Sequence, residues 1–316
     1  MKLGKLYELA VKVGIDNDPR GHAKVEKEFE KAKKEYAQLK DEDRKSFDLE
    51  SLSNPYADTR ILNGSQDKQV KTVLLGIDIE APELLVADRL SQKTKIDLVI
   101  AHHPEGFAYA GFYEVMKMQS DILSKIGVPV GVSEGLTMER MREVERRVMP
   151  ANHLRASDTA RLLGVNFMCI HTPADNCVAS YLQHLMDERI PETVGDALKI
   201  LKSVPEYKFA ELNKYGPKVI LGDAKRSCGK IFVDMTGGTE GSKEIFPRLS
   251  SAGVSTLVCM HLSEEHFAKA KNENINVIVA GHISSDNLGL NLLLDQIEKK
   301  EKLSILEISG FRRIKR

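Results

Sequence analysis

The chain has 316 residues, with 46 Lys plus Arg against 46 Asp plus Glu and no formal net charge. That length can bury a core without disulfides or structural metal, and the charge balance disfavours nucleic acid, which asks for a basic excess. Four cysteines without a CxxC pair, no apolar run near the ~18 residues of a membrane span and no signal peptide at Met1–Leu6 lead to the expectation of a cytoplasmic protein with no membrane partner.

Residues 1–47 read as helices, broken at Pro19-Arg20-Gly21. Ala23–Leu39 is so rich in Lys and Glu that it can bury only a thin stripe, which suits a peripheral helix or an oligomer contact. Ser51–Gln69, with Asn54-Pro55 and Asn63-Gly64, reads as a linker or turn-rich stretch, so residues 1–70 are expected to be a helical extension plus linker. From Lys71 the pattern changes to strand, turn, helix. Thr72–Asp78 and Ile96–Ala101 are apolar strands around a helix over Pro82–Thr94, with Pro82 suited to a first turn. Helices over Tyr113–Ile126, Met138–Arg147 and Ser157–Leu163 precede a strand at Val165–Ile170. Further strands fall at Ile231–Met235, Thr256–Met260 and Asn276–Ala280. Near-continuous apolar strands alternating with helices imply buried, mainly parallel sheets. The expected fold is α/β, with a first lobe over 71–180 and a second over 181–316 facing a shared site. The basic end Arg312–Arg316 reads as a solvated tail.

The functional signal is that strands stop at histidine. In open α/β sheets ligands bind beyond the carboxyl ends of the strands, and His102-His103, His171 with Asp175, and Gly281-His282 with Asp286 all fall at that edge. Imidazole with carboxylate, and no paired thiolates, suits Zn, Fe, Mn or Ni. Successive strand side chains point to opposite faces, so His102 and His103 are expected to serve two neighbouring ions rather than one. In a helix starting at His282, that histidine and Asp286 share a face one turn apart. The alternative reading of Asp286 is a helix cap, that of Asp175 a plain turn residue, and that of His171 an orienting neighbour of a ligand. A carboxylate bridging two divalent ions would offset their repulsion, which gives Asp175 a specific task. Thr236–Gly241 could offer N–H groups to an anion at a helix start, or be an ordinary turn.

Four blocks resemble the NIF-three-like family (NGG-one interacting factor three), also labelled dinuclear metal-centre proteins or type 2 homologues of GTP cyclohydrolase I. They are Gly76-Ile77-Asp78; Asp97 to Pro104 with its His-His-Pro; His171-Thr172 with Asp175; and Ala280-Gly281-His282 with Ser285 and Gly289. The resemblance covers about residues 71 to 297. It implies two divalent ions held by His102, His103, Asp175 and His282, with Asp286 where the family has a glutamate. It also implies a ring-like homo-oligomer. Two departures stand out: the shorter Asp286, and Cys259-Met260-His261 where the family tends to have Thr-Gly-Glu. The helix around Met138 to Val148 reads as an insertion, and the stretch before Lys71 matches no known pattern.

Two functions are open on this reading. One is a metal-dependent hydrolase of a small molecule, possible substrates including phosphoesters and nucleotides, with His171 or His261 moving a proton near neutral pH. The other is a non-catalytic metal-binding or regulatory protein.

Overall fold

Each of the apolar runs is covered on both faces, which is why it sits as a strand in a mainly parallel sheet. The computed structural model describes residues 1–316. Helices α1 (Leu3–Asp16), α2 (His22–Gln38) and the short α3 (Asp41–Arg44) come first, and β1 (Arg60–Asn63) follows. Then come β2 (Thr72–Gly76), α4 (Ala81–Ser91), β3 (Leu98–Ala101), α5 (Gly106–Ala110), α6 (Lys117–Ile126), α7 (Val130–Val148), α8 (Leu154–Leu163) and β4 (Phe167–Cys169). The long α9 (Thr172–Arg189) leads through α10 (Val194–Ser203) and α11 (Pro205–Leu212) to β5 (Lys218–Leu221) and β6 (Lys230–Asp234). After α12 (Phe246–Ser251), β7 (Val254–Cys259), α13 (Glu264–Asn272) and β8 (Asn276–Val279), α14 (His282–Glu298) and β9 (Ser304–Glu307) end the chain.

The first sheet has the order β1-β4-β3-β2-β9 and the second β5-β8-β7-β6. In each, the first strand in sequence lies antiparallel at the edge and the other pairings are parallel. Setting β9 aside, the two sheets share one topology. The α/β class and the two mainly parallel sheets match the expectation. The C-terminal β9 crosses back to pair with β2 in the first sheet, and no helix is long and apolar enough to cross a membrane.

Along β2, Val73 and Leu75 face a core shared with α1, α9 and α14, while Leu74 faces α4 and α8. The second sheet repeats this: Val233, Val258 and Ile278 face α9, α10 and α11, and Phe232, Leu257 and Val277 face α6 and α12. Helices α9 and α14 therefore lie between the sheets, and their close crossing depends on Gly289, where an added Cβ would stand 2.4 Å from the Ala174 carbonyl oxygen. Overpacking of that kind typically costs about 1–3 kcal/mol. The crossing fixes the relative height of the N-terminal ends of both helices, which carry Asp175 and Asp286.

The ends of the chain differ from the sequence reading. Helix α2 is as polar and peripheral as expected, burying only Val25. Helix α1 buries Leu3, Leu6, Ala10 and Val13 in the main core, so the N-terminal segment is in part structural. The Arg312–Arg316 tail is only partly solvated: Arg312, Lys315 and Arg316 are exposed, but two of its arginines are tied down. The Arg313 guanidinium, 7% exposed, pairs with Asp295 and Glu298, and Arg316 reaches Glu206. The helix expected over Tyr113–Ile126 is divided into a 3-10 turn at Phe112–Met116 and α6.

Candidate metal centre

His102 and His103 lie just past β3, in a bend whose two backbone N–H groups both donate to the Ile77 carbonyl beyond β2, at 3.1 and 3.0 Å. Leaving the strand removes the alternation that would have parted the side chains, and the two rings sit 5.3 Å apart at 41°. The same bend brings Asp78 against His103, with Nδ1 2.6 Å from Oδ1. His102 donates from Nδ1 to the Ile170 carbonyl at 2.9 Å, which leaves Nε2 facing the centre.

Asp175 and Asp286 reach the centre from the N-terminal ends of α9 and α14, each four residues after a histidine and on the same face. Gly281, at φ +105°, makes the turn into α14 that presents His282. His102 Nε2 is 3.4 Å from Asp175 Oδ1 and 3.6 Å from Asp286 Oδ1. The other oxygen of Asp286 lies 3.5 Å from His103 Nε2 and 3.7 Å from His282 Nε2. The second oxygen of Asp175 lies 3.7 Å from His171 Nε2. Both carboxylates thus face two ways, and Asp286 joins the two imidazole groups.

These separations are long for hydrogen bonds but fit donors around a common tetrahedral ion, whose ligands at ~2.1 Å stand about 3.4 Å apart. His102 Nε2, Asp175 Oδ1 and both oxygens of Asp286 are buried without any hydrogen-bond partner. An unpaired buried carboxylate is strongly disfavoured unless a cation stands beside it. Three overlapping groups of ligand atoms lie within 4.8 Å: His102, His103 and His171; His103, His282 and Asp286; His102, Asp175 and Asp286. All five residues expected as ligands are brought together, and His171 joins them. The nitrogen and oxygen donors are of the kind that could hold metal ions.

The electrostatics agree. Burial opposes charge on His102, but Asp286 and Asp175 outweigh it and push the imidazole up to about 10. His103 is also disfavoured as a cation by burial, yet Asp286 and Asp78 raise it to about 9. Burial would raise the Asp286 carboxyl, but His102 and His103 hold it far below the usual carboxylate range. His282, set apart by burial, has its imidazole lowered despite Asp286. The cluster demands positive charge, from protons or from metal ions.

Asp58 was not foreseen. It is fully buried and accepts from His171 Nδ1 at 2.8 Å and from the Thr172 hydroxyl at 2.6 Å. The loop that carries it is pinned by Asn54, whose amide donates to the Tyr56 and Thr59 carbonyls, and by Arg60, which donates to the same two. Burial would raise the Asp58 carboxyl, but His171 keeps it low, so a carboxylate fixes the tautomer that points Nε2 at the centre. No local pattern marks Asp58, since 113 residues separate it from His171.

His261 stands at the rim, its side chain 48% exposed, with Nδ1 3.5 Å from Glu240 Oε1 and its ring 5.0 Å from that of His282. It belongs to none of the three ligand groups. The Thr236–Gly241 loop opens no helix before the 3-10 turn at Lys243, and Gln119 donates to its Gly237 and Thr239 carbonyls, so it is a turn rather than an anion cradle.

A crystal structure of a NIF3 superfamily protein from Sphaerobacter thermophilus matches this fold with a TM-score of 0.70 and 30% identity, over 80% of this chain and 91% of that one. Reduced HcgD from Methanocaldococcus jannaschii matches at TM-score 0.49 and 14% identity, over 79% and 87%. A Bacillus cereus protein related to NIF3 matches at TM-score 0.39 and 12% identity, over 79% and 89%. No family model and no curated protein matches the sequence. With nearly a third of its residues identical to the Sphaerobacter protein over most of both chains, this protein belongs to the NIF3 superfamily.

Proposed function

We propose that the cluster holds two divalent ions and that the protein is a metal-dependent hydrolase of a small molecule. The observation that carries this reading is the set of buried, unpartnered ligand atoms on His102, Asp175 and Asp286. One ion would take His102, Asp175 and Asp286, with His171 beside them; the other would take His103, His282 and Asp286. Divalent ions held there supply Lewis acidity for hydrolytic attack by water. His171, fixed by Asp58, serves as a ligand-side group rather than a mobile proton carrier. His261 is the better proton relay, because it is exposed, faces the second ligand group through His282 and is paired with Glu240. That pairing raises its imidazole above the ordinary value, burial opposing, which suits an acid near neutral pH.

Elemental analysis of the purified protein should find about two transition-metal ions per chain, and a panel of amide, ester and phosphoester substrates should show metal-dependent turnover. His261→Ala should then lower kcat by about 100-fold or more with metal content unchanged. Two bound ions with no turnover on any panel would replace the hydrolase by a metal-binding or regulatory protein. A metal-free protein whose affinity for added zinc is unaltered by His102→Ala would end the metal reading altogether.

The ring-like homo-oligomer of the family would find an apolar contact on the packed pair α4 and α8. Leu85 is 55%, Leu154 59% and Leu162 76% exposed there. Light scattering in solution reads this directly, and a monomer would refute it.

A further inference from the structure

Beside the centre, a cleft of about 100 Å³ runs from Asp175, His282 and Asp286 toward the second sheet. Its far wall is apolar, formed by Phe232, Ile245, Leu249 and Leu257. Its polar face carries two carboxylates, Asp234 at the end of β6 and Glu240 in the loop that follows. Glu240 is already engaged, accepting from the Ser263 backbone N–H at 2.7 Å and facing His261 and His266 at 3.5 and 3.7 Å. Asp234 has no hydrogen-bond or ion-pair partner and is open to the cleft. No Lys or Arg lines the space. The unpartnered, almost fully buried oxygens of Asp286 open on the same cleft from its inner end.

We infer that this cleft selects a ligand carrying a protonated amine on a short apolar arm, and that Asp234 reads the charge. The inference rests on the adjoining centre being the reactive one. A nucleotide or other polyanion, beyond any group held by metal, would meet carboxylates here and no permanent cation, only the imidazoles of His171, His261, His266 and His282. An alkylammonium arm meets the reverse: methylenes against Phe232 and Leu257, and in Asp234 a carboxylate that no side chain hydrogen-bonds or ion-pairs. Because a cavity of roughly 150 Å³ accommodates a benzene ring, this one takes about four non-hydrogen atoms, the length of a butyl arm, with the polar head at the open rim beside Asp234.

The test uses three four-carbon probes, butylamine, 1-butanol and butyrate, titrated calorimetrically into zinc-loaded protein and into protein stripped by a chelator. Butylamine is protonated at pH 7, as a lysine side chain is. It should bind about tenfold more tightly than butanol in both forms, and Asp234→Asn should remove that preference with zinc content unchanged. Glu240→Gln should weaken it less, since that charge already faces two histidines. Butyrate or inorganic phosphate preferred over butylamine in the stripped protein would overturn the inference. So would a preference that survives Asp234→Asn. Should the amine preference hold while no amide or ester of an amine is ever turned over, the cleft assignment stands and only the hydrolase reading falls.

Discussion

The two halves of the molecule build their strand ends on one plan but finish them differently. In each half a helix follows the strand next to the antiparallel edge, and a histidine and an aspartate four residues apart face the centre from its start: His171 and Asp175 on α9, His282 and Asp286 on α14. The first half then locks its histidine. His171 is buried and tied to Asp58, and His102 is tied to the Ile170 carbonyl. The second half leaves His282 41% exposed with no partner on its other nitrogen, and beyond it stands the equally open His261. At the positions just past the middle strand, the first half has His102-His103 and the second Met260-His261. A buried, preorganised side thus meets an open, solvent-facing side, and outer partners of the kind that fix His102 and His171 orient a ring at low reorganisation cost.

Removing the residue common to both sides is expected to have the largest effect. Asp286→Ala takes away the carboxylate that faces His102 on one side and His103 and His282 on the other, so both ions should be lost. Zinc affinity should fall by more than the roughly 100-fold typical of an outer-partner substitution, as read by competition with a chromogenic chelator. The metal-free variant loses the carboxylate that keeps the protons on His102 and His103, so at pH 7 it should unfold at a lower temperature than metal-free wild type. Loss of only one ion would show that Asp175, not Asp286, joins the halves.

The asymmetry is tested next by Asp58→Asn, which keeps the shape but removes the charge that orients His171. Affinity should drop by about 10- to 100-fold, and mainly for one of the two ions. His282 has no equivalent support, so no outer-partner substitution in the second half should match that drop. If Asp58→Asn leaves both affinities intact, the first half is no more preorganised than the second.

A smaller effect follows from the protons that the centre holds without metal. His102 and His103 titrate at about 10 and about 9 when folded, above the ~6.5 of an unfolded histidine. Both are raised, so the stability they contribute is fully present below about 6.5 and fades as pH rises through 9 to 10. Chelator-treated protein should therefore lose several degrees of Tm between pH 7 and pH 10. Saturating zinc should abolish most of that loss, since the ions take the place of the protons. A flat Tm in the stripped protein over this range would mean that the histidines are neutral there.

Much of this site was legible because its ligands sit at points where a strand's periodicity stops: an apolar run ending at His-His-Pro or Gly-His announces an edge residue that the core does not need. The two-sheet α/β plan followed from the same runs. What could not be read were contacts made across long separations. Asp58 lies in a stretch whose turn residues suggest only a connector, and its burial depends on Asn54 and Arg60 folding back on that loop. The last arginines look solvated in sequence because their partners, Asp295, Glu298 and Glu206, are brought up only by α14 and α11. The facing of His102 and His103 into one space was hidden for a simpler reason: strand alternation applies only as long as the strand continues, and β3 stops at Ala101.

The least effect is expected from Asp286→Glu, which installs the residue that the family resemblance implies at this position. Both oxygens of Asp286 already lie 3.5 to 3.7 Å from three imidazole nitrogens, so an added methylene must push the carboxylate past the point midway between the two groups. The buried first half, with His102 and Asp175 fixed, has little room to yield, whereas His282 can swing outward. The ion on the His282 side should therefore bind less than about tenfold differently and exchange with altered metal preference, while the other keeps its affinity. Parallel titrations with zinc, manganese and nickel distinguish the two ions by their separate binding steps. A loss centred on the His102 side would mean that the first half is the yielding one, and the contrast between a firm and an open half would be reversed.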